Sequence, residues 1–332
     1  MKKLFFLLAC VAMSVLAMGQ DNQLVWTNGR LLYGTPIESI DSLTYDDMED
    51  VDTLHLLLPR TLIKVVHDTV YIHDTVYVET DFGGENDTST AGIGIFTVAA
   101  NKQVSFSKGN LQYHPANNKW RFAEKQTDYI GEDNSNISDT YNGWLDLFGW
   151  STRTTNFGVS TSSFDSDYSG SFVDWGTNKI GTDAPYTWRT LTRDEWECLL
   201  YYRKNASALF GVAQVNGVNG LILLPDNWTV PVGITFKPGL HSKYVADYSG
   251  YQSFTAEQWQ TMEQAGAVFL PASGERYGSN VDYMHYYGCY WSSIVRNESC
   301  AYNVEFTSNV LISKDTGINR YKGLSVRLVK DL

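Results

Sequence analysis

The stretch WRTLTRDEWECLL, residues 188–200, contains the clearest fold signal in the sequence. Thr192 stands where a helix N-cap is expected, and Glu195 follows three residues later, which is the spacing of a capping box. Three apolar residues then recur at the i, i+3, i+4 spacing of one helix face: Trp196, Leu199 and Leu200. The stretch therefore predicts a short helix with a defined start and one buried face.

A second stretch repeats this pattern further along the chain. Thr255 and Gln258 have the capping-box spacing, and Trp259 and Met262 form the apolar stripe. Gly266 then supplies the helix stop. The rest of the chain from residue 93 onward consists of short, aromatic-rich runs punctuated by glycine, which is typical of strands. Two helices among many strands predict an α+β fold.

Composition and charge limit the function classes. The 332-residue chain is 43% hydrophobic and 14% aromatic, which is enough for a packed core. Its acidity is concentrated in residues 20–92, where 14 Asp and Glu face three Lys and Arg. Residues 93–332 are close to balanced, with 23 acidic and 20 basic residues. Neither part has the basic patch that nucleic-acid or anionic-membrane binding requires, so we expect no nucleic-acid partner.

The amino terminus predicts export. Residues 1–19 contain two lysines, an apolar run and small residues before position 20, which is the order of a cleaved signal peptide. We expect soluble export to the extracellular space or the outer-membrane surface. The alternative is a lipid anchor at Cys10, because LLAC resembles a lipoprotein box. Its apolar run is short for that role.

The cysteines do not predict a disulfide framework. Three remain after removal of the signal peptide, and an odd number in an exported chain leaves at least one unpaired. We interpret Cys198 as a small buried hydrophobe, and Cys289 and Cys300 either pair across a hairpin or stay free. No cysteine or histidine spacing fits a structural metal site, so we expect neither a metal nor a cofactor.

Shifts in texture predict the domain organisation. Residues 20–60 indicate a small β-rich module, 61–80 an extended repeat stalk, 81–92 a polar Gly-rich linker, and 93–332 the main domain. The stalk prediction depends on the tandem hexads VHDTVY and IHDTVY. On one continuous strand their histidines, His67 and His73, would lie about 20 Å apart, too far to chelate one metal.

The order of motifs after residue 95 resembles a known family. WRTLTRDEW and GLSVRLV resemble the helix entry and the terminal strand of domains related to the formylglycine-generating enzyme, also called sulfatase-modifying factor domains. The order VSFSKGNLQY, WRFAE, GWLDLFGW, WRTLTRDEW and GLSVRLV more closely resembles the Fibrobacter succinogenes major paralogous domains of Bacteroidetes surface proteins. The resemblance implies a C-type-lectin-like fold, which the variable proteins of diversity-generating retroelements also use.

The resemblance does not carry over the enzyme chemistry or the calcium site. The formylglycine-generating enzyme uses two closely spaced cysteines, whereas Cys289 and Cys300 are eleven positions apart. The calcium-dependent lectins need a carboxylate or amide before the Pro-Asn or Pro-Asp pair, but here Leu224 precedes Pro225. We interpret LPDNW, residues 224–228, as a turn into a buried strand. FDSDYSG, residues 164–170, lacks the position-12 glutamate of an EF-hand and is interpreted as a solvated loop.

The predicted contact surface lies in residues 283–306, YMHYYGCYWSSIVRNESCAYNVEF. This stretch is dense in Tyr, Trp, Arg and Asn, the side chains that adaptable recognition surfaces favour. We expect Trp291 to be a core residue. Six residues are the candidates for exposed ligand contacts: Tyr286, Tyr287, Arg296, Asn297, Glu298 and Asn303.

The predicted function is that of an exported, non-enzymatic protein whose head binds a protein or glycan ligand at the cell surface. An enzyme acting on a glycan or peptide through the same face is one alternative, and a structural or fimbrial-type adhesin subunit is another. Four Asp-Ser or Asp-Thr sequences followed by an aliphatic residue also resemble the O-glycosylation sequon of Bacteroidetes. The hydroxyl residues concerned are Ser42, Thr53, Thr69 and Thr75.

Overall fold

The computed structural model describes residues 22–27, 30–36, 54–58, 61–66, 69–73, 94–151, 171–314 and 317–332. The chain divides into two compact units, Met1–Asp87 and Thr88–Leu332. The division falls inside the stretch 81–92 that the sequence indicates as a linker.

The first unit contains two antiparallel sheets. Strand β1 (Asn22–Thr27) pairs with β2 (Arg30–Pro36). Strands β3 (Leu54–Leu58), β4 (Thr61–Val66) and β5 (Thr69–His73) form a three-stranded sheet in that order. Strand β4 pairs antiparallel with both neighbours. The stalk predicted for residues 61–80 stays a prediction.

The second unit is an α+β domain built mostly of strands. In chain order the strands are β6 (Phe96–Ala99), β7 (Lys102–Phe106), β8 (Leu111–His114), β9 (Lys119–Phe122), β10 (Arg189–Thr190), β11 (Phe210–Val215), β12 (Val218–Leu223), β13 (Ser253–Phe254), β14 (Val268–Pro271), β15 (Glu275–Tyr277), β16 (Asn280–Asp282), β17 (Gly288–Val295), β18 (Cys300–Phe306), β19 (Leu311–Ile312), β20 (Ile318–Asn319) and β21 (Leu328–Asp331). Two α-helices, α1 (Arg193–Glu197) and α2 (Ala256–Gln264), interrupt them in the described part of the chain.

Three sheets of four strands and two hairpins organise these strands. One sheet has the order β10-β21-β7-β6, so the last strand of the chain lies between early ones. A second has the order β13-β11-β12-β14. In the third, β18 pairs with β17 on one side and with β19 and β20 on the other. The β8–β9 and β15–β16 pairs are antiparallel hairpins. This arrangement confirms the α+β prediction.

Helix α1 begins as the sequence predicts. The Thr192 hydroxyl accepts from the Glu195 backbone N–H at 3.2 Å, and the Glu195 carboxylate accepts from the Thr192 N–H at 2.8 Å. Both halves of the capping box are therefore formed. The helix continues as a π-helical turn over Cys198–Tyr202. The three predicted apolar residues of its face are buried: Trp196, Leu199 and Leu200.

Helix α2 is confirmed in the same way. The Thr255 hydroxyl and the Gln258 side chain exchange capping hydrogen bonds with each other's backbone N–H at 3.2 and 2.9 Å. Trp259 and Met262 are buried. Gly266 follows the last turn with φ of 90°, a left-handed conformation that glycine adopts without steric cost.

The core consists of three clusters of buried side chains. The first packs α1 against the sheet that contains β6, and the third packs α2 against the sheet that contains β11. The second includes Trp291, which is 1% exposed and donates its indole N–H to the Phe148 carbonyl at 2.6 Å. The prediction that Trp291 is a core residue is confirmed.

A buried arginine connects the closing strand to the rest of the core. In GLSVRLV, Arg327 is 2% exposed, and its guanidinium donates to the Gln126 side chain at 2.6 Å. Gln126 in turn donates to Glu263 at 2.8 Å. Burial lowers the pKa of Arg327 to about 10, because no carboxylate contacts the guanidinium directly among the described residues. The amide of Gln126 thus lies between the two charged groups.

The three cysteines of the second unit are free. Cys289 lies opposite Glu305 on β18, and Cys300 lies opposite Asn319 on β20, so the two thiols do not face each other. Of the two states that the sequence left open, the structure shows the unpaired one. Cys198 is only half-buried, and burial raises the pKa of its thiol.

Candidate functional site

The β17–β18 hairpin separates the six predicted contact residues. Tyr286 and Tyr287 precede β17, whereas Arg296, Asn297 and Glu298 follow its last residue. Eight strand residues lie between the two groups, which corresponds to about 26 Å of extended strand. The sequence predicted one surface, but the structure has two, which we call the aromatic loop (residues 283–287) and the hairpin tip (residues 296–299).

The backbone of the aromatic loop is fixed by hydrogen bonds on both sides. The His285 N–H donates to the Ala272 carbonyl at 2.8 Å, and the Tyr287 carbonyl accepts from the Gly274 N–H at 2.8 Å. The N–H groups of Tyr286 and Tyr287 both donate to the Tyr283 carbonyl at 3.1 Å. A loop with this many backbone partners keeps one conformation, so its side chains are pre-organised.

Two bulky residues of the loop have left-handed backbone conformations. Tyr283 has φ of 60° and His285 has φ of 71°. Such conformations cost about 1–3 kcal/mol each for residues other than glycine, and they cluster at functional sites. Gly274 beneath the loop has no side chain, and a Cβ there would lie 2.3 Å from the Asp282 carbonyl oxygen. The close backbone approach therefore requires glycine at this position.

A buried asparagine clamps the loop to its neighbour. The Asn219 amide donates to the carbonyls of His285 and Ala246, each at 2.8 Å. Its side-chain oxygen accepts from the Tyr248 N–H at 3.2 Å. The Tyr248 hydroxyl then donates to the Tyr286 carbonyl at 2.7 Å. Asn219 on β12 thereby joins residues 244–248 to the aromatic loop.

Exposed tyrosine rings cover this part of the surface. Tyr283 is 61% exposed, Tyr286 is 42% exposed, and Tyr244, in the segment that Asn219 clamps, is 56% exposed. His285 is exposed too, and its Nδ1 atom is 2.8 Å from the Tyr129 hydroxyl. Exposed aromatic side chains on a rigid backbone are typical of recognition surfaces.

Tyr287 connects the exposed ring of Tyr283 to the polar side chain of Glu305. Its hydroxyl donates to the Glu305 carboxylate at 2.6 Å, and its ring meets that of Tyr283 edge to face at 6.3 Å. Burial and the neighbouring Cys289 raise the pKa of Tyr287, so the phenol stays protonated and remains a donor. Tyr287 is half-buried and is therefore a weaker direct contact than the sequence predicted.

Asn303 is buried, and the prediction that it is an exposed contact is wrong. It is 2% exposed, and its amide donates to the Cys289 sulfur at 3.1 Å. Cys289 itself is fully buried, and burial raises the pKa of its thiol above the usual range. The reactive thiolate is therefore disfavoured at this position. Because Asn303 and Cys289 are both buried, neither can contact a ligand directly.

Carboxylates outnumber cations beside Tyr287. Glu275 is buried and accepts from the Lys322 ammonium at 2.5 Å. Asp282 is exposed and lies directly opposite Glu275 in the β15–β16 pair, so the two side chains share one face. Glu305 is half-buried. Three carboxylates and one lysine leave this part of the surface with a net charge of about −2 at neutral pH.

The hairpin tip is exposed and is held by a local turn. The Asn297 side chain accepts from the N–H groups of Ser299 and Cys300 at 3.0 and 2.8 Å, which is the pattern of an Asx turn. The backbone carbonyl of Asn297 accepts from the buried Arg320 guanidinium at 2.5 Å. The exposure predicted for Arg296, Asn297 and Glu298 is confirmed. The side chain of Asn297, however, is used in the hydrogen bonds of the turn.

A buried carboxyl group supports the segment next to the aromatic loop. Asp146 is fully buried and accepts from the Ile130 N–H at 2.9 Å and the Asn134 amide at 2.8 Å. Burial raises its pKa to about 6, although these hydrogen bonds favour the charged form. The segment it fixes includes Tyr129, the hydrogen-bond partner of His285.

Several residues of this surface were not selected from the sequence: Tyr244, Tyr283, His285, Glu305 and Asn219. Tyr283, His285 and Glu305 do lie in the stretch 283–306, where aromatic density could have identified Tyr283. Asn219 leaves no such signal, because the sequence Asn216-Gly217-Val218-Asn219-Gly220 also suits an ordinary turn, although Asn219 lies on β12.

The other sequence motifs have structural roles or lie elsewhere. In LPDNW, Asp226 accepts from the Thr97 N–H at 2.7 Å and from Arg203 at 3.0 Å. This turn follows the buried strand β12, whereas the sequence predicted a turn leading into one. The loop FDSDYSG, the signal peptide 1–19, Cys10, Ser42, Thr53 and Thr75 lie outside the described residues, and Thr69 is the first residue of β5.

No group of three potential metal-ligating side chains occurs among the residues that the structure describes. In that same part of the chain no helix has the length and apolarity to cross a membrane. We found no protein-family model, no characterised protein and no solved structure that matches this sequence.

Proposed function

We propose that this chain is an exported, non-enzymatic binding protein of the cell surface, and that its aromatic loop contacts a protein or glycan ligand. The observation that carries the proposal is the backbone of the loop. Tyr283 and His285 are held at φ of 60° and 71° by hydrogen bonds, while Tyr283 and Tyr286 stay exposed. Backbone strain of this kind costs stability, and it clusters at functional sites. A binding role therefore explains the strain at Tyr283 and His285 better than a folding role does.

The proposed fold of the head is the C-type-lectin-like fold of the formylglycine-generating-enzyme type. The resemblance of the ordered motifs supports it, and so does the α+β arrangement in which the last strand, β21, lies between β10 and β7. Export with cleavage after residue 19 is proposed from the signal-peptide pattern. Burial raises the pKa of the Cys289 thiol, which disfavours this residue as a nucleophile, because a nucleophilic cysteine needs a lowered pKa.

The test is a protein and glycan array probed with the full chain and with Tyr286→Ala. We expect a ligand that the wild type binds and that Tyr286→Ala binds at least about tenfold more weakly, as for truncation of an aromatic hot spot. Circular dichroism and thermal unfolding should show that the variant is folded. Equal binding by both proteins would exclude the aromatic loop as the contact surface.

A further inference from the structure

We propose that the aromatic loop binds a positively charged side chain, lysine or arginine, of a protein partner. This inference rests on the proposed binding function and specifies the chemistry of the ligand. The structure contributes two independent observations, one on the aromatic rings and one on the carboxylates.

Elsewhere in the domain, several exposed or half-buried aromatic rings carry a cation of the chain itself, although among the described residues no Lys or Arg lies over the exposed rings of Tyr186 and Tyr277. Lys237 lies 4.0 Å from the ring centre of Tyr251, and Arg121 lies 3.9 Å from that of Trp144. The exposed ring of Tyr202 is covered by Lys314 at 4.4 Å. A cation in these positions is attracted by the negative face of the ring.

The rings of the aromatic loop differ from these. Among the described residues no Lys or Arg lies over Tyr283, Tyr286, Tyr287 or Tyr244. Tyr283 and Tyr286 therefore keep exposed faces that the chain's own cations do not use. A cation from a partner can take the position that a lysine of the chain takes over Tyr251.

The carboxylates beside the loop fit the same ligand. Glu305 is orientated by the 2.6 Å hydrogen bond from Tyr287, and its other oxygen is left to solvent or a ligand. Asp282 is exposed, and Lys322 is already paired with Glu275. The remaining negative charge attracts a basic side chain and repels an acidic one. Tyr287 links the two observations, because it touches both Tyr283 and Glu305.

The test measures binding of a tetralysine peptide to the full chain by isothermal titration calorimetry. The chain as a whole is acidic, so variants separate the site from non-specific attraction. We expect Glu305→Gln to weaken binding about tenfold and Tyr283→Ala about fivefold, magnitudes typical of a charge pair and a cation–π contact. The matched control is Glu298→Gln at the hairpin tip, which removes the same charge and should leave binding unchanged.

Two further ligands test whether the positive charge has to come from a lysine side chain or can come from an amino sugar. The same peptide with acetylated lysines should not bind, and a glucosamine tetramer should bind at least about tenfold more weakly than tetralysine. Equal binding of the acetylated peptide, or equal losses in Glu305→Gln and Glu298→Gln, would overturn the inference. So would stronger binding of the glucosamine tetramer. A ligand found on the array that depends on Tyr286 but carries no basic side chain would leave the proposed function intact and refute only this inference.

Discussion

The two ends of the β17–β18 hairpin differ in residue types and in construction. The aromatic loop has left-handed backbone at Tyr283 and His285 and is anchored by the buried Asn219. The hairpin tip is a local Asx turn in which Asn297 satisfies its own neighbours. The loop is rich in aromatic residues and the tip in charged and polar ones, but residue types do not reveal the difference in construction. What distinguishes them is whether the surrounding structure holds the backbone in a conformation that the loop would not adopt by itself.

The largest expected effect is the loss of the Asn219 clamp. Asn219→Ala leaves the carbonyls of His285 and Ala246 and the N–H of Tyr248 without their partner. We expect destabilisation by about 3 kcal/mol and loss of detectable ligand binding, because buried polar groups lose their hydrogen bonds. Chemical denaturation measures the first effect and the array ligand the second.

The hairpin tip provides the control for that prediction. Asn297→Ala removes an exposed Asx turn and should cost about 1 kcal/mol or less, with binding retained. If Asn219→Ala costs no more than Asn297→Ala, the aromatic loop is not clamped in the way the structure indicates.

The next effect concerns pH and Asp146. Its pKa is about 6 in the folded protein and 3.8 in the reference state, so the folded state binds a proton more readily. A raised folded pKa contributes stability that is fully present below the reference pKa and is lost as pH rises through the folded pKa. Between pH 7 and pH 4 the wild type should therefore gain about 2 kcal/mol of stability relative to Asp146→Asn.

The measurement is urea denaturation of both proteins across this pH range. Asp133→Asn is the matched control, because Asp133 is exposed on the neighbouring 3₁₀ turn Gly131–Ser135. The stability of the wild type relative to Asp133→Asn should stay constant within about 0.5 kcal/mol. A constant difference for Asp146→Asn as well would show that its carboxyl is not buried.

A smaller effect tests backbone strain directly. At Tyr283, glycine should be more stable than alanine by about 1 kcal/mol, because glycine adopts positive φ without cost. Arg296 has no positive φ, so there alanine should be at least as stable as glycine. Both pairs are compared by thermal unfolding. If glycine is more stable than alanine at both positions, or at neither, the loop and the tip do not differ in backbone strain.

The smallest effect is expected at the tip itself. Arg296→Ala and Glu298→Ala truncate exposed side chains, and each should change the free energy of unfolding by less than about 0.5 kcal/mol. Denaturation curves check this. A loss of 2 kcal/mol or more at either position would mean that the tip is a structural element of the domain.

The sequence predicted local features well and the candidate contact surface only in part. Both capping boxes, the buried faces of α1 and α2 and the burial of Trp291 follow from spacing and residue type, which are local properties. Asn303 was misassigned because its burial depends on a partner, Cys289, from the neighbouring strand. Positive φ at Tyr283 and the Asn219 clamp arise from contacts distant in sequence, which no local pattern records.

The most direct test compares two double variants of the full chain against one ligand from the array. Tyr283→Ala/Tyr286→Ala removes the exposed rings of the aromatic loop, and Arg296→Ala/Glu298→Ala removes the charges of the hairpin tip. We predict that the first weakens binding by at least about thirtyfold and that the second changes it by less than about threefold. The opposite result, with binding lost at the tip and kept at the loop, would contradict the assignment of the site.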